Sequence, residues 1–296
     1  MDDTISEIKK ANLSRTVVLP DGRKVPRLGQ GTWHLAQNPG TRENEIEALR
    51  LGIQSGMTLI DTAEMYGEGA SEQLVGEAIQ DVPRDSLFLV SKVYPHNAGR
   101  DSIFQSCKNS LRRMGISYLD LYLLHWRGRI PLAETAACME ELMKMGLIRG
   151  WGVSNFDIDD MRELWDVPGG TNCLVNQVLY HLGSRGIEYS LLPWMEERKV
   201  PLMAYCPLAQ GGSLRRGLLE SKAVQTVAKA HQAAPMQIIL SFAMHSGKAI
   251  AIPMTRSVSH VRENAEAGLI QLTSEDLRIL SERYPSPSRK LPLDMM

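Results

Sequence analysis

The sequence predicts an α/β protein of the closed (β/α)8, TIM-barrel class, with an N-terminal β-hairpin and an extra C-terminal helix and tail. Two observations carry that prediction. Short apolar, β-branched runs alternate eight times with amphipathic stretches, and no linker or change of composition divides them. The residues just past those runs are polar or aromatic, while the runs themselves are largely Leu, Ile, Val and Ala. A barrel that collects its site at the C-terminal ends of its strands sorts residues in this way. With 296 residues, 43% hydrophobic and 23% charged, the chain has the size and balance of one such barrel, and a single domain over residues 1–296 is expected.

Residues 1–14 read as a polar, loosely ordered leader. Thr16-Val-Val-Leu19, Pro-Asp-Gly22 and Arg-Lys-Val25 form a hairpin pattern around a Gly-containing turn. Strands follow near 28–31, 58–60, 87–91, 119–124, 148–153, 173–177, 201–205 and 249–252. Helical periodicity lies between them at 42–55, 71–80, 101–114, 132–145, 157–165, 188–198, 220–245 (broken by Pro235) and 258–266. A last helix follows Thr273-Ser-Glu-Asp276, whose hydroxyls and acids suit an N-terminus. The rival fold, a doubly wound sheet, needs an early phosphate-binding turn. Gly29-Gln-Gly31-Thr-Trp-His34 begins like one, but His34 stands where the third glycine belongs.

Composition excludes several classes. The net charge of −1 offers no basic patch for nucleic acid and no polybasic run for a membrane surface. No apolar stretch reaches transmembrane length, and the acidic start lacks signal-peptide features. Cys107, Cys138, Cys173 and Cys206 show no C-x-x-C spacing, which points away from zinc and toward a reducing compartment, the cytoplasm.

The chemistry centres on Met57-Thr-Leu-Ile-Asp-Thr-Ala-Glu-Met-Tyr66. Asp61 ends a buried strand and needs a cationic partner, for which Lys92, at the end of another apolar run, is the candidate. His125 ends a third run and Tyr66 follows in a Gly-rich loop. An ammonium beside Tyr66 should lower its pKa from about 10, so that the phenol gives a proton to a carbonyl oxygen while His125 orients that oxygen. Such a site has no strong nucleophile, metal shell or electron source and needs a borrowed reductant. Ser154, Asn155 and Gln177 carry the groups a carboxamide wants, and Tyr205 offers a face for a flat ring, which together describe a nicotinamide seat. Two other readings stay open: a class I aldolase-like lyase with Lys92 as Schiff base, and a nicotinamide-binding regulatory subunit. His34, His96 and His181 read as loop residues, with His181 near the site's edge.

Over nearly its whole length the chain resembles the aldo-keto reductases. The resemblance rests on Gly31-Thr-Trp33, Asp61-Thr-Ala with Tyr66-Gly and Glu72-Gln-Leu-Val-Gly76, Ser91-Lys92, Leu124-His-Trp126, Gly152-Val-Ser-Asn155, Asn176-Gln177, Tyr205-Cys-Pro-Leu208, Ile252-Pro253 and Arg262-Glu-Asn264, in that order. It implies a monomeric NADPH-dependent oxidoreductase of aldehydes or 2-oxoaldehydes, with NADH as the alternative cofactor. It also implies Tyr66 as general acid in a tetrad with Asp61, Lys92 and His125. By the same likeness the cofactor is held by Gly31, Thr32, Trp33, Asp61, Ser154, Asn155, Gln177, Tyr205, Cys206, Leu208, Ile252, Met254, Thr255, Arg256, His260 and Asn264. The substrate meets Trp33, Tyr66, His125 and Trp126, and no metal is implied. Three departures stand out. Met57 and Thr58 replace an aromatic and a basic residue, Cys206 replaces a serine, and Met254 replaces the basic residue that pairs with the 2′-phosphate. Arg256, nearby in sequence, is expected to take that last role, with a narrower preference for NADPH.

Overall fold

The computed structural model describes residues 3–296. The chain opens with helix α1 (Asp3–Ser14) and a hairpin of β1 (Thr16–Val18) and β2 (Lys24–Pro26). The parallel strands are β3 (Gln30–Gly31), β4 (Leu59–Asp61), β5 (Phe88–Val93), β6 (Leu121–Leu124), β7 (Trp151–Ser154), β8 (Asn176–Leu179), β9 (Leu202–Tyr205) and β10 (Ala249–Ala251). Each pairs with the next in chain order. The ring closes between the first and last of them through the Leu28–Ala251 bridge, with Gly29 N–H donating to Ala251 O at 2.8 Å. Gly31 N–H donates to Pro253 O at 3.0 Å on the same seam. A Cβ at Gly31 would lie 2.8 Å from the Ile252 carbonyl oxygen, so only glycine lets the two backbones meet there. The expected barrel is therefore the observed one.

Between the strands run α2 (Arg42–Gln54), α3 (Ala70–Ile79), α4 (Ile103–Met114), α5 (Leu132–Lys144), α6 (Ile158–Trp165) and α7 (Leu191–Glu197). Three helices, α8 (Gly212–Leu219), α9 (Lys222–Ala230) and α10 (Pro235–Ala243), separate β9 from β10. Helices α11 (Val258–Ala267) and α12 (Ser274–Arg283) follow. At α12 Thr273 and Asp276 form the reciprocal cap their sequence suggests: each backbone N–H donates to the other's side chain, at 2.8 and 3.1 Å.

Period-two alternation explains how the strands aim their side chains. Leu59, Val90, Leu123 and Met203 fill the barrel interior, together with Val17, Leu19 and Val25 of the hairpin, which plugs its N-terminal end. Ile60, Tyr122, Leu124 and Ala204 point the other way into the layer beneath the helices. Two residues beyond each interior apolar side chain come Asp61, Lys92, His125 and Tyr205. The alternation therefore carries these polar groups into the mouth of the barrel.

Two expectations are corrected. Residues 3–14 are not a loose leader but helix α1; Met1 and Asp2 lie outside the described residues. Ile8 is buried, and Asn12 Nδ2 donates to Ser55 O at 2.9 Å and Ala265 O at 3.1 Å. One helical face is thereby docked on α2 and α11. A short helix gains its stability from such packing more than from its own propensity, which is why composition alone misreads it. Pro235 breaks the 220–245 stretch and starts α10 as expected, whereas the preceding α8 lies outside every expected helix.

Candidate active site

Lys92 is the hub. Fully buried, it donates from Nζ to Asp61 Oδ1 at 2.6 Å, to Thr62 O at 2.9 Å and to Tyr66 Oη at 3.0 Å. All three ammonium donors are thus used inside the barrel mouth, which makes burying the charge tolerable. Tyr66 arrives from the tight turn Tyr66–Gly69 that follows β4, in which Gly67 and Glu68 are left-handed, and its ring meets His125 edge-on with centroids 5.8 Å apart. Asp61 Oδ2 accepts from Gln177 Nε2 at 2.8 Å, which ties the acid–base group to the strands across the barrel.

Burial governs the protonation of this cluster. It raises Asp61, with Lys92 and Gln177 acting in the opposite sense. Lys92 is pulled down by burial, but Asp61 and Tyr66 outweigh that, so the ammonium is held above its ordinary range. For Tyr66 the expected direction is overturned. Burial raises the phenol above its ordinary value, and the opposing pull of Lys92 does not reverse it. The phenol keeps its proton at neutral pH. His125 is pushed down to about 2 by burial and by the Lys92 charge, and is therefore neutral. Its Nδ1 is buried with no hydrogen-bond partner. A bare lone pair is cheaper to leave unpaired there than an N–H, so the proton belongs on Nε2.

Beside this group lies a second set. Ser154 Oγ donates to Gln177 O at 2.9 Å and receives Asn155 Nδ2 at 3.3 Å. Asn155 Oδ1 accepts from Tyr205 Oη at 2.8 Å. Asn155 has a φ of 58°, a left-handed conformation that asparagine tolerates better than most residues. Gln177 Oε1 makes no hydrogen bond to the described residues and is an open acceptor.

Both sets face one cavity of 370 Å³, within the usual range for small-molecule pockets. Of the expected residues, Gly31, Thr32, Trp33, Asp61, Tyr66, His125, Trp126, Ser154, Asn155, Gln177, Tyr205, Cys206, Leu208, Ile252 and Met254 line it, with Lys92 directly beneath. Thr255, Arg256, His260 and Asn264 do not. They lie beyond the β10 exit, where Ser257 caps α11. There Arg256 is already engaged, with Nε 3.1 Å from Oε1 of the buried Glu45 and a further contact to His34 O. Glu45 also accepts from Ala36 N–H at 2.7 Å and Thr41 Oγ1 at 2.9 Å, so it holds the loop after β3 in place.

Some lining residues have no sequence signal. His34, read as a plain loop residue, lines the cavity, as do Met65, Gln210 and Arg215. Arg215 braces the β9–α8 loop through Leu208 O at 3.0 Å and Ala209 O at 2.7 Å. His181 does stand at the site's edge. Its Nδ1 accepts from Gly183 N–H at 3.0 Å, so its Nε2 donates to Gln210 Oε1 at 3.0 Å. Met295 and Met296 reach the cavity from the tail, which Lys290 fastens to Asp157 and Asp159. Among the described residues no three His, Cys, Asp or Glu side chains form a metal-binding group, and no helix is long and apolar enough to cross a membrane.

The aldo/keto reductase family model matches residues 27–284. The chain is 50% identical over 272 residues to methylglyoxal reductase YeaE of Escherichia coli (strain K12), covering 92% of this chain and 95% of that protein. It is 31% identical over 268 residues to glyoxal reductase of Bacillus subtilis (strain 168), covering 90% and 91%. Among solved structures it superposes with a TM-score of 0.92, at 48% identity, on an aldo/keto reductase from Klebsiella pneumoniae in complex with NADP and acetate. That match covers 95% of this chain and 99% of the other.

Proposed function

Because the chain belongs to the aldo/keto reductase family, we propose that it reduces small aldehydes and 2-oxoaldehydes, methylglyoxal among them, to alcohols with NADPH. Tyr66 is the proton donor in this reading. The observation that carries it is the Lys92 ammonium 3.0 Å from the protonated Oη of a half-buried Tyr66 at the wall of the cavity. Relatives named as methylglyoxal and glyoxal reductases support the substrate class.

The donor set suits a nicotinamide. Gln177 Oε1 is an open acceptor for an amide N–H₂, with the Ser154 and Asn155 side chains alongside it. Tyr205, at the same wall, has the flat face a ring stacks on. The cofactor, when bound, supplies the hydride. The chain's own residues do the rest. His125 Nε2–H orients the carbonyl oxygen, and Tyr66 Oη gives it a proton as negative charge develops there. Lys92 stabilises the phenolate that this leaves, and Asp61 holds Lys92. The cavity's apolar walls, including Trp33, Trp126 and Leu208, keep water from the reacting carbon.

The aldolase-like reading is disfavoured by the same geometry. Lys92 is fully buried, uses all three donors and is held protonated, so it has no lone pair to attack a carbonyl. We further infer a monomer working in the cytoplasm, in keeping with four cysteines that are all free.

A panel of carbonyls tests the activity. Methylglyoxal and short aldehydes should oxidise NADPH with higher kcat/KM than sugars or bulky ketones. Tight NADPH binding without turnover of any carbonyl would leave only the regulatory reading. Cofactor choice gives a second test. A 2′-phosphate seeks cations and a helix N-terminus, which the β10 exit provides in Arg256 and α11. Since Glu45 competes for that guanidinium, Arg256→Ala should weaken NADPH modestly and spare NADH, and Met254→Lys should strengthen NADPH alone. The dissociation constants, read by quenching of tryptophan fluorescence, decide this. Equal losses for both cofactors in Arg256→Ala would remove the 2′-phosphate from Arg256.

A further inference from the structure

At the opposite, N-terminal end of the barrel a second cavity of 440 Å³ opens beside the seam where β3 meets β10. Two arginines meet in its wall. Arg15 follows α1 and Arg27 leads into β3, and Arg27 N–H donates to Arg15 O at 3.0 Å, so hairpin pairing sets the two side by side. No carboxylate pairs with either among the described residues, although most arginines with known contacts in this chain have one. Their protein contacts are carbonyls only. Arg15 Nη1 donates to Gly268 O and to Ile270 O, the latter at 3.4 Å, and Arg27 Nη1 donates to Met244 O at 3.4 Å. Arg27 Nε is buried with no partner at all. Burial and the Arg15 charge hold the Arg27 guanidinium below its usual range. The rest of the wall is neutral or basic, including Ser14, Thr16, His245 and Gln271.

We infer that this cavity is a binding site for a small oxyanion, a phosphate or phosphate monoester, held between the Arg15 and Arg27 guanidiniums. Two like charges side by side, partly buried and without a counter-ion, are an unfavourable arrangement that a dianion reverses, and the guanidinium fork matches phosphate oxygens. Thr16 and Gln271 add a hydroxyl and an amide donor. The cavity is larger than a bare phosphate needs, so an ester with a short polar tail fits it better. Because Arg27 O accepts from Ala251 N at 2.7 Å on the closing seam, an occupant that relieves the repulsion also stabilises closure of the barrel.

The test uses the full chain saturated with NADP+, so that the cofactor's own phosphate site is filled. Tm is followed against inorganic phosphate, glycerol 3-phosphate and potassium chloride at matched ionic strength. Both phosphates should raise Tm saturably and chloride should not, with the ester acting at the lower concentration. If inorganic phosphate acts at the lower concentration, the ester assignment is overturned while the oxyanion site stands. Arg15→Gln and Arg27→Gln should each raise the half-saturating concentration about ten-fold or more, as loss of a charge-assisted hydrogen bond implies. Gln271→Glu, at an exposed position, puts a carboxylate into the cavity. It should raise Tm without ligand and remove the phosphate effect, which keeps the test decisive if an arginine variant fails to fold. A phosphate effect of equal size in the wild type and all variants reflects general exclusion of the salt from the surface, and overturns the site.

Discussion

Tyr66→Phe is expected to lower kcat for methylglyoxal by about 10²–10⁴-fold, the usual worth of a positioned proton donor, with NADPH affinity nearly unchanged. The substitution removes one oxygen and keeps the ring that packs edge-on against His125. Lys92 loses one acceptor but retains Asp61 at 2.6 Å and Thr62 O at 2.9 Å, so the ion pair beneath the site survives. Gln177, Ser154, Asn155 and Tyr205, which suit the cofactor, are joined by bonds that do not involve Tyr66. Steady-state kinetics with a cofactor titration separate the two effects. Unchanged kcat, or a loss confined to cofactor affinity, would take the proton-donor role away from Tyr66. Because burial raises the Tyr66 pKa, reduction by the wild type should also show no loss of activity near neutral pH from ionisation of this phenol.

Lys92→Met should damage both activity and stability. It leaves Asp61 buried with only Gln177 as a side-chain partner, and breaking a buried pair by removing one member costs about 3–5 kcal/mol. The loss depends on pH in a direction fixed by Asp61. Burial already raises this carboxyl, and without the ammonium nothing of like strength opposes that rise. A group whose folded pKa lies above its unfolded value binds more protons in the folded state. Its penalty is therefore absent below the unfolded pKa, near 4, and grows as pH rises through the folded one. Denaturant unfolding should find Lys92→Met closest to wild type in acid and furthest from it at pH 8. Adding Asp61→Asn should restore much of the stability and none of the turnover. A Lys92→Met protein as stable as wild type at pH 8 would mean that Asp61 has another partner.

Much of this site is legible in the sequence because a strand has only two faces. Once Leu59, Val90, Leu123 and Met203 are read as interior, Asp61, Lys92, His125 and Tyr205 must follow on the same face at the strand exits. The expected elements fail where packing between distant segments decides. Helix α1 exists because Asn12 reaches Ser55 and Ala265, 43 and 253 residues away in the chain. The direction of the Tyr66 shift escapes the sequence because a neighbouring ammonium is visible there while the extent of burial is not. The sequence offers Arg256 as a cation for the 2′-phosphate, but Glu45, far from it in the chain, already pairs with it. Met295 and Met296 belong to no motif and reach the cavity through a tail fastened by Lys290 to Asp157 and Asp159 and by Asp294 to Ser184.

The most direct test of the account is the fate of a label in single turnover. NADPH carrying deuterium in place of its transferable hydrogen is bound to the enzyme and mixed with methylglyoxal. The alcohol formed should carry deuterium on the former carbonyl carbon, appear at a rate slowed by the isotope, and form about 10²–10⁴-fold more slowly in Tyr66→Phe. Alcohol without deuterium, or label transfer at the wild-type rate in Tyr66→Phe, would contradict it.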